Sequence, residues 1–533
     1  MGLHIYDTRT RRMRPFEPLH PGHVGVYVCG PTVQSPPHVG HIRTAVAFDL
    51  LRRWLTASGL GVTFVQNVTD IDDKIIINAG RAGENVWELA TRQTRAFDDA
   101  YRSVGVLPPT IQPRATGHIP EMLALIARLV DTGYAYPSAG SVWFRVGRFA
   151  GYGELSHQRP DAVQASQECE PGKADPRDFA LWKGAKPGEP FWESPWGRGR
   201  PGWHVECSAM AGKYLGEVFD IHGGGLDLVF PHHENERAQS ASAAHSRGRS
   251  GGDAPQMARY WMHVGLLTTG GTKMSKSLGN SFLVSDALEQ VRPQVLRYHL
   301  LSAHYRSSLE YGPEGLVESA AAHDRIETFV RNALDILGGP DEAAALAAEC
   351  AANVRRDPVD QGRAKGDGRT GARGDAKVGA SDRGPADPGA AGAVAHVFPA
   401  EPAAVSSPAQ AWAAFAAALD DDLAISRALA VLFSAVSRGN HVLSKTQRRE
   451  LAGWVDVVLR MLVVLGLDPI SQWPAAGSEL RPALNGVMEI VLDLRSAARA
   501  RRDYAEADEI RSRLAAGGLV VEDTPEGQRW HLA

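Results

Sequence analysis

Cysteine, histidine and glutamate residues with the spacing of metal ligands lie in two parts of this sequence. Cys29 follows an apolar run, Cys207 lies in a helical pattern, and His232 and Glu236 open the next helical pattern. Residues four apart on a helix share a face, so His232 and Glu236 can contact one ion. Thiolate, imidazole and carboxylate donors in a set of four suit zinc. The spacing indicates a zinc site, with buried structural cysteines as the alternative.

A protease-like zinc motif is the competing interpretation of the same stretch. His233-Glu234-Asn235-Glu236 begins like the His-Glu-x-x-His motif of zinc proteases. Position 237 is arginine, so the second histidine of that motif is missing. The sequence therefore excludes the protease motif and leaves the four-residue set.

The segment His38-Val39-Gly40-His41 has the pattern of a phosphate site. It follows the apolar run Val24 to Val28, which predicts a strand, and precedes an amphipathic stretch from Ile42 to Trp54, which predicts a helix. The N-terminus of a helix attracts anions because its backbone N–H groups are unpaired and its dipole is positive there. Two imidazoles beside such a terminus indicate phosphate binding.

Two glycine-rich segments lie further along the chain. Lys273-Met274-Ser275-Lys276-Ser277 is flanked by glycines, which indicates a mobile phosphate-handling loop, with a solvated basic loop as the alternative. His222-Gly223-Gly224-Gly225-Leu226-Asp227 follows a predicted strand. Three glycines there allow a ligand to approach the backbone, although a simple turn has the same composition.

Taken together, these patterns resemble one known family. His38 to His41 resembles the HIGH signature of class I aminoacyl-tRNA synthetases, and Lys273 to Ser277 matches their KMSKS signature. Further segments narrow the resemblance to the cysteinyl-tRNA synthetase family: Tyr27 to Thr32, Asn67 to Lys74, Gly202 to Met210 and His222 to Glu236. The resemblance covers nearly the whole chain.

The resemblance implies a reaction and a cofactor. L-cysteine would be activated with ATP to cysteinyl-adenylate and then transferred to the 3′ end of tRNA(Cys). One zinc ion per chain, held by the residues Cys29, Cys207, His232 and Glu236, would bind the substrate thiol as a thiolate. Magnesium would accompany ATP.

The resemblance also assigns the remaining site residues. Thr69 and Trp203 would line the cysteine pocket. Gly224 and Asp227 would lie near the adenosine of ATP. The catalytic residues, which would act on the phosphate groups of ATP, are His38, His41, Lys273 and Lys276.

The order of elements predicts an α/β protein. Strand and helix patterns alternate over residues 22–80, which is typical of a parallel sheet. We therefore expect a Rossmann-like catalytic domain with an insertion (connective) domain, followed by an α-helical bundle and a small C-terminal α+β anticodon-binding domain. The predicted ranges are 1–138 and 203–282 for the two catalytic halves, 139–202 for the insertion, 283–350 and 409–480 for the bundle, 351–408 for a disordered low-complexity insertion and 481–533 for the last domain.

Several local predictions accompany this architecture. A strand ends at Ile221, and His222 to Gly225 form a loop before a helix that begins at His232. The tryptophan-rich segment from Gly140 to Trp203 has no clear periodicity. One helix covers Gln410 to Gly439, and the chain closes on a single short strand, Leu519 to Glu522.

Length and composition restrict the class of protein. A chain of 533 residues predicts two to four domains, and a net charge of -4 gives no global basic surface for nucleic acid. Four cysteines are too few for a disulfide framework in a chain this long. Neither a targeting segment nor a membrane-spanning run is indicated. We expect a cytoplasmic monomer without a membrane partner.

Two other functions share parts of this pattern. A ligase of mycothiol synthesis, which resembles this family, transfers cysteine to an amino sugar but lacks a full RNA-binding C-terminal region. A synthetase-like regulator without catalysis would be free to lose a signature histidine or lysine. This chain retains all four of them, His38, His41, Lys273 and Lys276. Arg495, Arg499 and Arg502 form either a basic stripe for RNA phosphates or a solvated helix face. The C-terminal third favours tRNA as the acceptor.

Overall fold

A computed structural model gives two compact units, Met1–Pro469 and Ile470–Ala533. Lys276 and most of the predicted insertion at 351–408 lie outside the residues that it describes. No helix of the described part is long and apolar enough to cross a membrane. The described residues are 2–158, 172–245, 257–270, 272–273, 282–345, 405–444, 447–469, 481–524 and 527–532.

The first unit combines short strands with longer helices. Its strands are β1 (His4–Asp7), β2 (Arg12–Pro15), β3 (His23–Val28), β4 (Gly61–Gln66), β5 (Ala135–Ser138), β6 (Ser141–Phe144), β7 (Phe179–Gly184), β8 (Gly199–Pro201), β9 (Phe219–Gly225), β10 (Ala258–Val264), β11 (Leu267–Thr269), β12 (Thr272–Lys273) and β13 (Leu309–Glu310). Its helices are α1 (Val39–Ala57), α2 (Asp73–Ala82), α3 (Val86–Ser103), α4 (Ile119–Asp131), α5 (Trp203–Leu215), α6 (Glu234–His245), α7 (Val284–Gln290), α8 (Pro293–Leu301), α9 (Pro313–Leu337), α10 (Pro408–Asp420), α11 (Ile425–Ser444) and α12 (Arg448–Leu465).

The central sheet joins strands from two distant parts of the chain. Its order is β10-β9-β3-β4, and all neighbouring strands are parallel. Valine-rich β3 is buried on both faces, as is typical of a strand inside a parallel sheet. Because β3 and β9 are neighbours, the segments after their carboxyl ends meet at one edge. Ligands of open α/β sheets bind at such edges.

The predicted loop after Ile221 is wrong, because β9 continues through His222 and the glycines to Gly225. Gly223 pairs with Met262 of β10, and its carbonyl accepts a hydrogen bond from the Cys29 N–H group. A Cβ atom on Gly223 would lie 2.2 Å from the Phe48 ring. Glycine is therefore required by close packing inside a strand, and composition alone made the segment resemble a loop.

The start of α6 also differs from the prediction. The helix begins at Glu234, and the preceding residues Val229–His233 form a wider helical turn. His232 therefore lies in a turn that leads into the helix, while Glu236 lies in the helix itself. The turn and the first helical turn still present both side chains to the same place.

The tryptophan-rich segment forms an antiparallel sheet that the sequence pattern missed. Its order is β5-β6-β7-β8, and Trp143 and Trp182 are buried in it. A register irregularity between Val142 and Trp143 interrupts the two-residue alternation that would have revealed the strands. The first strand, β5, lies inside the range 1–138, and the domain ranges themselves stay predictions.

The predicted helix from Gln410 to Gly439 is wrong, because it is two helices, α10 and α11. Asp422 and Leu423 between them have φ angles of 53° and 54°, which end the first helix. The Asp422 carboxylate accepts hydrogen bonds from the Tyr6 N–H group and the Tyr305 hydroxyl, at 2.9 and 2.7 Å. These tertiary contacts hold the turn, and local sequence does not show them.

The second unit consists of two helices and a hairpin. They are α13 (Arg481–Ala500), α14 (Tyr504–Ala516), β14 (Leu519–Thr524) and β15 (Gly527–Leu532), and the two strands are antiparallel. The predicted single closing strand is therefore one half of a hairpin. The predicted stripe of three arginines is also wrong, because Arg495 is buried and Arg502 lies beyond the end of α13.

Candidate active site

The four predicted metal ligands come together at the carboxyl edge of the parallel sheet. Cys29 directly follows β3, Cys207 lies on α5, His232 precedes α6 and Glu236 lies in its first turn. Cys29 is 8 % exposed and the other three side chains are fully enclosed. One ligand atom from each residue lies within 4.8 Å of all the others. The described residues thus contain a cluster that could hold a metal ion.

The two sulfur distances within this cluster suit a small tetrahedral ion. Cys29 Sγ lies 3.6 Å from Cys207 Sγ and 3.3 Å from Glu236 Oε1. His232 Nε2 lies 2.8 Å from the same carboxylate oxygen. Zinc bonds of about 2.0–2.3 Å place neighbouring ligand atoms about 3.3–3.8 Å apart. Both sulfur distances have that size, so the donor set fits the predicted metal.

The electrostatics of the cluster favour charged ligands. Burial opposes ionisation of Glu236, but His232 and His222 lower the pKa of this carboxyl well below its usual range. Burial likewise opposes protonation of His232, but Glu236 and Cys207 raise its pKa to about 10. Hydrogen bonds with Cys29 and His232 outweigh burial and lower the pKa of Cys207 to about 6. Burial and Cys207 raise the pKa of Cys29. One thiolate and one carboxylate therefore face one imidazolium, which leaves the cluster with a net negative charge before any metal is considered.

The two residues predicted for the cysteine pocket lie beside the cluster. The Trp203 ring stacks on His232, with ring centroids 4.2 Å apart. Thr69 follows β4, and its hydroxyl donates to Glu206 Oε2 at 2.8 Å. Asn67 Nδ2 donates to the same hydroxyl at 3.3 Å. The Thr69 side chain is thus held in one orientation next to the segment that carries Cys29.

The predicted phosphate residues lie at the start of α1. The His38 and His41 rings stack, with centroids 3.6 Å apart, and the His38 N–H group donates to His41 Nδ1. Lys273 ends β12, and only its backbone position is described. His38 pairs with Leu283 in an isolated antiparallel bridge. The segment that follows the KMSKS signature is therefore attached to the HIGH segment.

Gly224 and Asp227 lie at the same edge of the sheet. Gly224 is part of β9, and Asp227 lies in the short turn Leu226–Leu228 that follows it. Nucleotide ligands of such sheets usually bind at the carboxyl ends of the central parallel strands, where both residues lie.

Comparison with known proteins identifies the family. Residues 15–321 match the model of the tRNA synthetases class I (C) catalytic domain, and residues 481–530 match that of the cysteinyl-tRNA ligase anticodon binding domain. A cysteine–tRNA ligase of Frankia casuarinae is 70 % identical over 100 % of both chains. The chain belongs to the cysteinyl-tRNA ligase family. The family predicted from the sequence is confirmed, and the chain is an enzyme of that family.

A second cysteine–tRNA ligase supports the same assignment, and more distant synthetases share the fold. The cysteine–tRNA ligase of Beutenbergia cavernae is 47 % identical over 100 % of this chain and 99 % of its own. Mycobacterium tuberculosis methionyl-tRNA synthetase bound by methionyl-adenylate superposes with a TM-score of 0.51 at 16 % identity, over 84 % of this chain and 92 % of that chain. The Agrobacterium radiobacter LeuRS-tRNA-LeuAMS complex gives 0.53 at 10 %, over 87 % and 88 %. The predicted class I synthetase fold is confirmed.

Around the ligands of this cysteinyl-tRNA ligase fold lie histidines that the sequence interpretation did not select. His222 Nε2 lies 2.7 Å from Glu236 Oε2, and His204 Nδ1 lies 3.0 Å from His232 Nδ1. Cys29, His222, His233 and Glu236 form a second set of closely spaced donors. Burial lowers the pKa of His204 and His233, so both are neutral. All three histidines, His204, His222 and His233, lie within the segments that carry the family resemblance, but His222 was assigned to a loop.

Proposed function

We propose that the protein activates L-cysteine with ATP to cysteinyl-adenylate and transfers the cysteinyl group to the 3′ end of tRNA(Cys). Family membership supports both steps. The observation that carries the choice of amino acid is the buried set of Cys29, Cys207, His232 and Glu236 beside Thr69 and Trp203. A site that contains two thiols next to the amino-acid pocket suits a substrate recognised by its sulfur.

Zinc is the metal proposed for this cluster. Cys29, Cys207, His232 and Glu236 would hold one ion, which would supply a preference for a soft thiolate over a hydroxyl. Serine and cysteine differ by one atom, and a plain pocket separates such near-isosteres by only about 10 to 200-fold. A metal selector therefore gives discrimination that packing alone does not supply. An editing step is then unnecessary.

Thr69 and Trp203 are proposed to bind the cysteine. Trp203 covers one face of His232, so a substrate sulfur directed at the cluster would lie against an aromatic wall. Thr69 is fixed by Asn67 and Glu206 and offers its hydroxyl or backbone to the rest of the amino acid. Rigid placement of both side chains orients the substrate carboxylate for reaction.

Activation needs no nucleophilic side chain. The cysteine carboxylate attacks the α-phosphorus of ATP, the bond to the bridging oxygen breaks, and pyrophosphate leaves. His38, His41, Lys273 and Lys276 are proposed to stabilise the developing charge on the phosphates, with Mg²⁺ accompanying ATP. Gly224 and Asp227 are proposed to lie near the adenosine.

The second unit is proposed to bind the anticodon of tRNA(Cys). Its residues 481–530 match an anticodon binding domain, and Arg499 and Arg502 are exposed in it. The amino-sugar ligase considered from the sequence lacks such a region, which argues against that alternative. A monomeric state, a cytoplasmic location and the seven domain ranges given above remain part of the proposal.

Two assays on the purified full chain test this function. Pyrophosphate exchange into ATP should depend on cysteine and should not proceed with serine. Charging should then be observed with tRNA bearing a cysteine anticodon. Adenylation without tRNA charging, but with transfer of cysteine to an amino sugar, would overturn the assignment.

A further inference from the structure

Arg43 is a buried cation whose charge is met by backbone carbonyls. It lies on α1, two residues after His41, and is 2 % exposed. Its guanidinium donates to the carbonyl oxygens of Leu266 at 2.7 Å and His304 at 3.5 Å, and also to that of Ser307. Among the described residues no carboxylate forms an ion pair with it. Burial lowers the pKa of Arg43 to about 10, so the side chain is still charged at neutral pH.

A second buried arginine shows the usual stabilising arrangement. Arg297 is fully buried, but its guanidinium lies 2.5 Å from the Asp49 carboxylate and also donates to the carbonyls of Leu465 and Val104. Burying a charge without a counter-charge is costly, because the lost hydration is only partly replaced. Arg43 lacks the compensation that Arg297 has. A role other than stability is therefore needed to explain Arg43.

The carbonyls that Arg43 contacts belong to the base of the hairpin that carries Lys273. Leu266 directly precedes β11, and Thr268 of β11 pairs with Lys273 of β12. On its other side β11 pairs with β13, where Leu267 lies opposite Leu309. Arg43 thus holds β11. The strand paired with β11 is β12, which ends at Lys273, the first lysine of the KMSKS signature.

Close packing at Gly265 makes the contacts of Arg43 with the His304 and Ser307 carbonyls possible. Gly265 donates its N–H group to the Tyr305 carbonyl at 2.7 Å. A Cβ atom on Gly265 would lie 2.4 Å from the Ser307 carbonyl oxygen. Only glycine lets the 304–307 turn come near enough for Arg43 to reach both that turn and Leu266. One guanidinium therefore joins three segments: α1, the start of β11 and this turn.

We propose that Arg43 is a positioning residue for cysteine activation: it fixes the β11–β12 hairpin, and with it Lys273, against the helix that begins at His38 and His41. The backbone of Lys273 is then held at a set separation from His38 and His41, so that the phosphates of ATP are contacted from both sides. The inference rests on the proposed phosphate role of Lys273. It assigns Arg43 no contact with substrate.

A double-mutant cycle in pyrophosphate exchange tests the proposal. The variants are Arg43→Met, Lys273→Ala and the combination, with Arg52→Met as the matched control, since Arg52 lies on α1 and donates to the Pro108 carbonyl at its far end. Arg43→Met should lower kcat about 10 to 100-fold, as expected when buried charge-assisted hydrogen bonds are lost. The KM for cysteine should stay within about twofold, because the metal cluster is not touched. Arg52→Met should behave as the unmodified protein.

The combined variant decides between positioning and general stability. If Arg43 acts through Lys273, the double variant will lose little more than the worse single variant. Independent effects that multiply, or an equal loss for cysteine binding and kcat, would overturn the proposal. Lys273→Ala without effect would instead overturn the phosphate role of Lys273.

Two further variants keep the test valid if Arg43→Met does not fold. Arg43→Lys retains the charge but cannot reach all three carbonyls. Its kcat should therefore fall about fivefold to tenfold, which is less than the loss expected for Arg43→Met. Gly265→Ala pushes the Ser307 carbonyl away and should reproduce the loss in kcat with Arg43 intact. Normal kcat in both of these variants would contradict the proposal.

Discussion

The metal cluster and the phosphate site lie at the same edge of one sheet, yet they are built differently. The cluster brings Cys29, Cys207, His232 and Glu236 from three separate segments of the chain into an enclosed group. The phosphate site consists of half-buried His38 and His41 and a lysine at the end of a two-residue strand. The first region is closed and the second is open to its ligand.

This difference follows from what each region must recognise. Selecting sulfur over oxygen depends on donors that are fixed and shielded from water before the substrate arrives, because electrostatic effects are strongest in a dry site. A triphosphate is large and highly charged, so the site that takes it must be accessible. Arg43 combines features of both regions. Its guanidinium is buried, but we propose that it positions the hairpin that carries Lys273 in the open region.

Removing one thiol should give the largest effect. Cys207→Ser replaces a soft ligand in an enclosed cluster, and losing one ligand or its support lowers metal affinity strongly. We expect zinc content per chain to fall from one ion to almost none, and cysteine-dependent exchange to fall by about 1000-fold or more. Metal analysis and exchange kinetics measure the two effects.

Cys350→Ser is the control for that variant, since Cys350 is not among the four predicted metal ligands. It should retain zinc and full activity. If Cys207→Ser retained both zinc and the preference for cysteine over serine, the assignment of Cys207 as a metal ligand would be wrong. The contrast between the closed and the open region would then lose its basis.

A change in the open region should have a smaller and different effect. Lys276→Ala removes one charge that is proposed to act on the leaving pyrophosphate, which typically costs about 100-fold in kcat. Zinc content and the KM for cysteine should stay unchanged, because the cluster is separate from the phosphate contacts. Metal analysis and single-turnover adenylation measure this. An unchanged adenylation rate would refute the role of Lys276.

The sequence predicts the chemistry of the site better than its geometry. Cys29, Cys207, His232 and Glu236 could be found because ligand types and helical spacing are local signals, and the family resemblance joined the distant ones. His222 could not be placed, because three following glycines look like a loop although β9 is held by strands on both sides. Neighbouring strands from remote sequence decide that assignment.

Other features depend on contacts between residues far apart in the chain. The break at Asp422 is stabilised by Tyr6 and Tyr305, which no local pattern indicates. Helical spacing correctly placed Arg495 on one helix, but it did not show that the side chain is buried. In both cases tertiary packing overrides a pattern that was read locally.

Recognition of cysteine by its sulfur in the enclosed cluster can be measured directly. The measurement is zinc K-edge X-ray absorption on the zinc-loaded full chain, with and without L-cysteine. We expect two sulfur neighbours, from Cys29 and Cys207, in the free protein and a third when cysteine is bound, with no change when L-serine is added. An unchanged sulfur count at saturating cysteine would contradict the account.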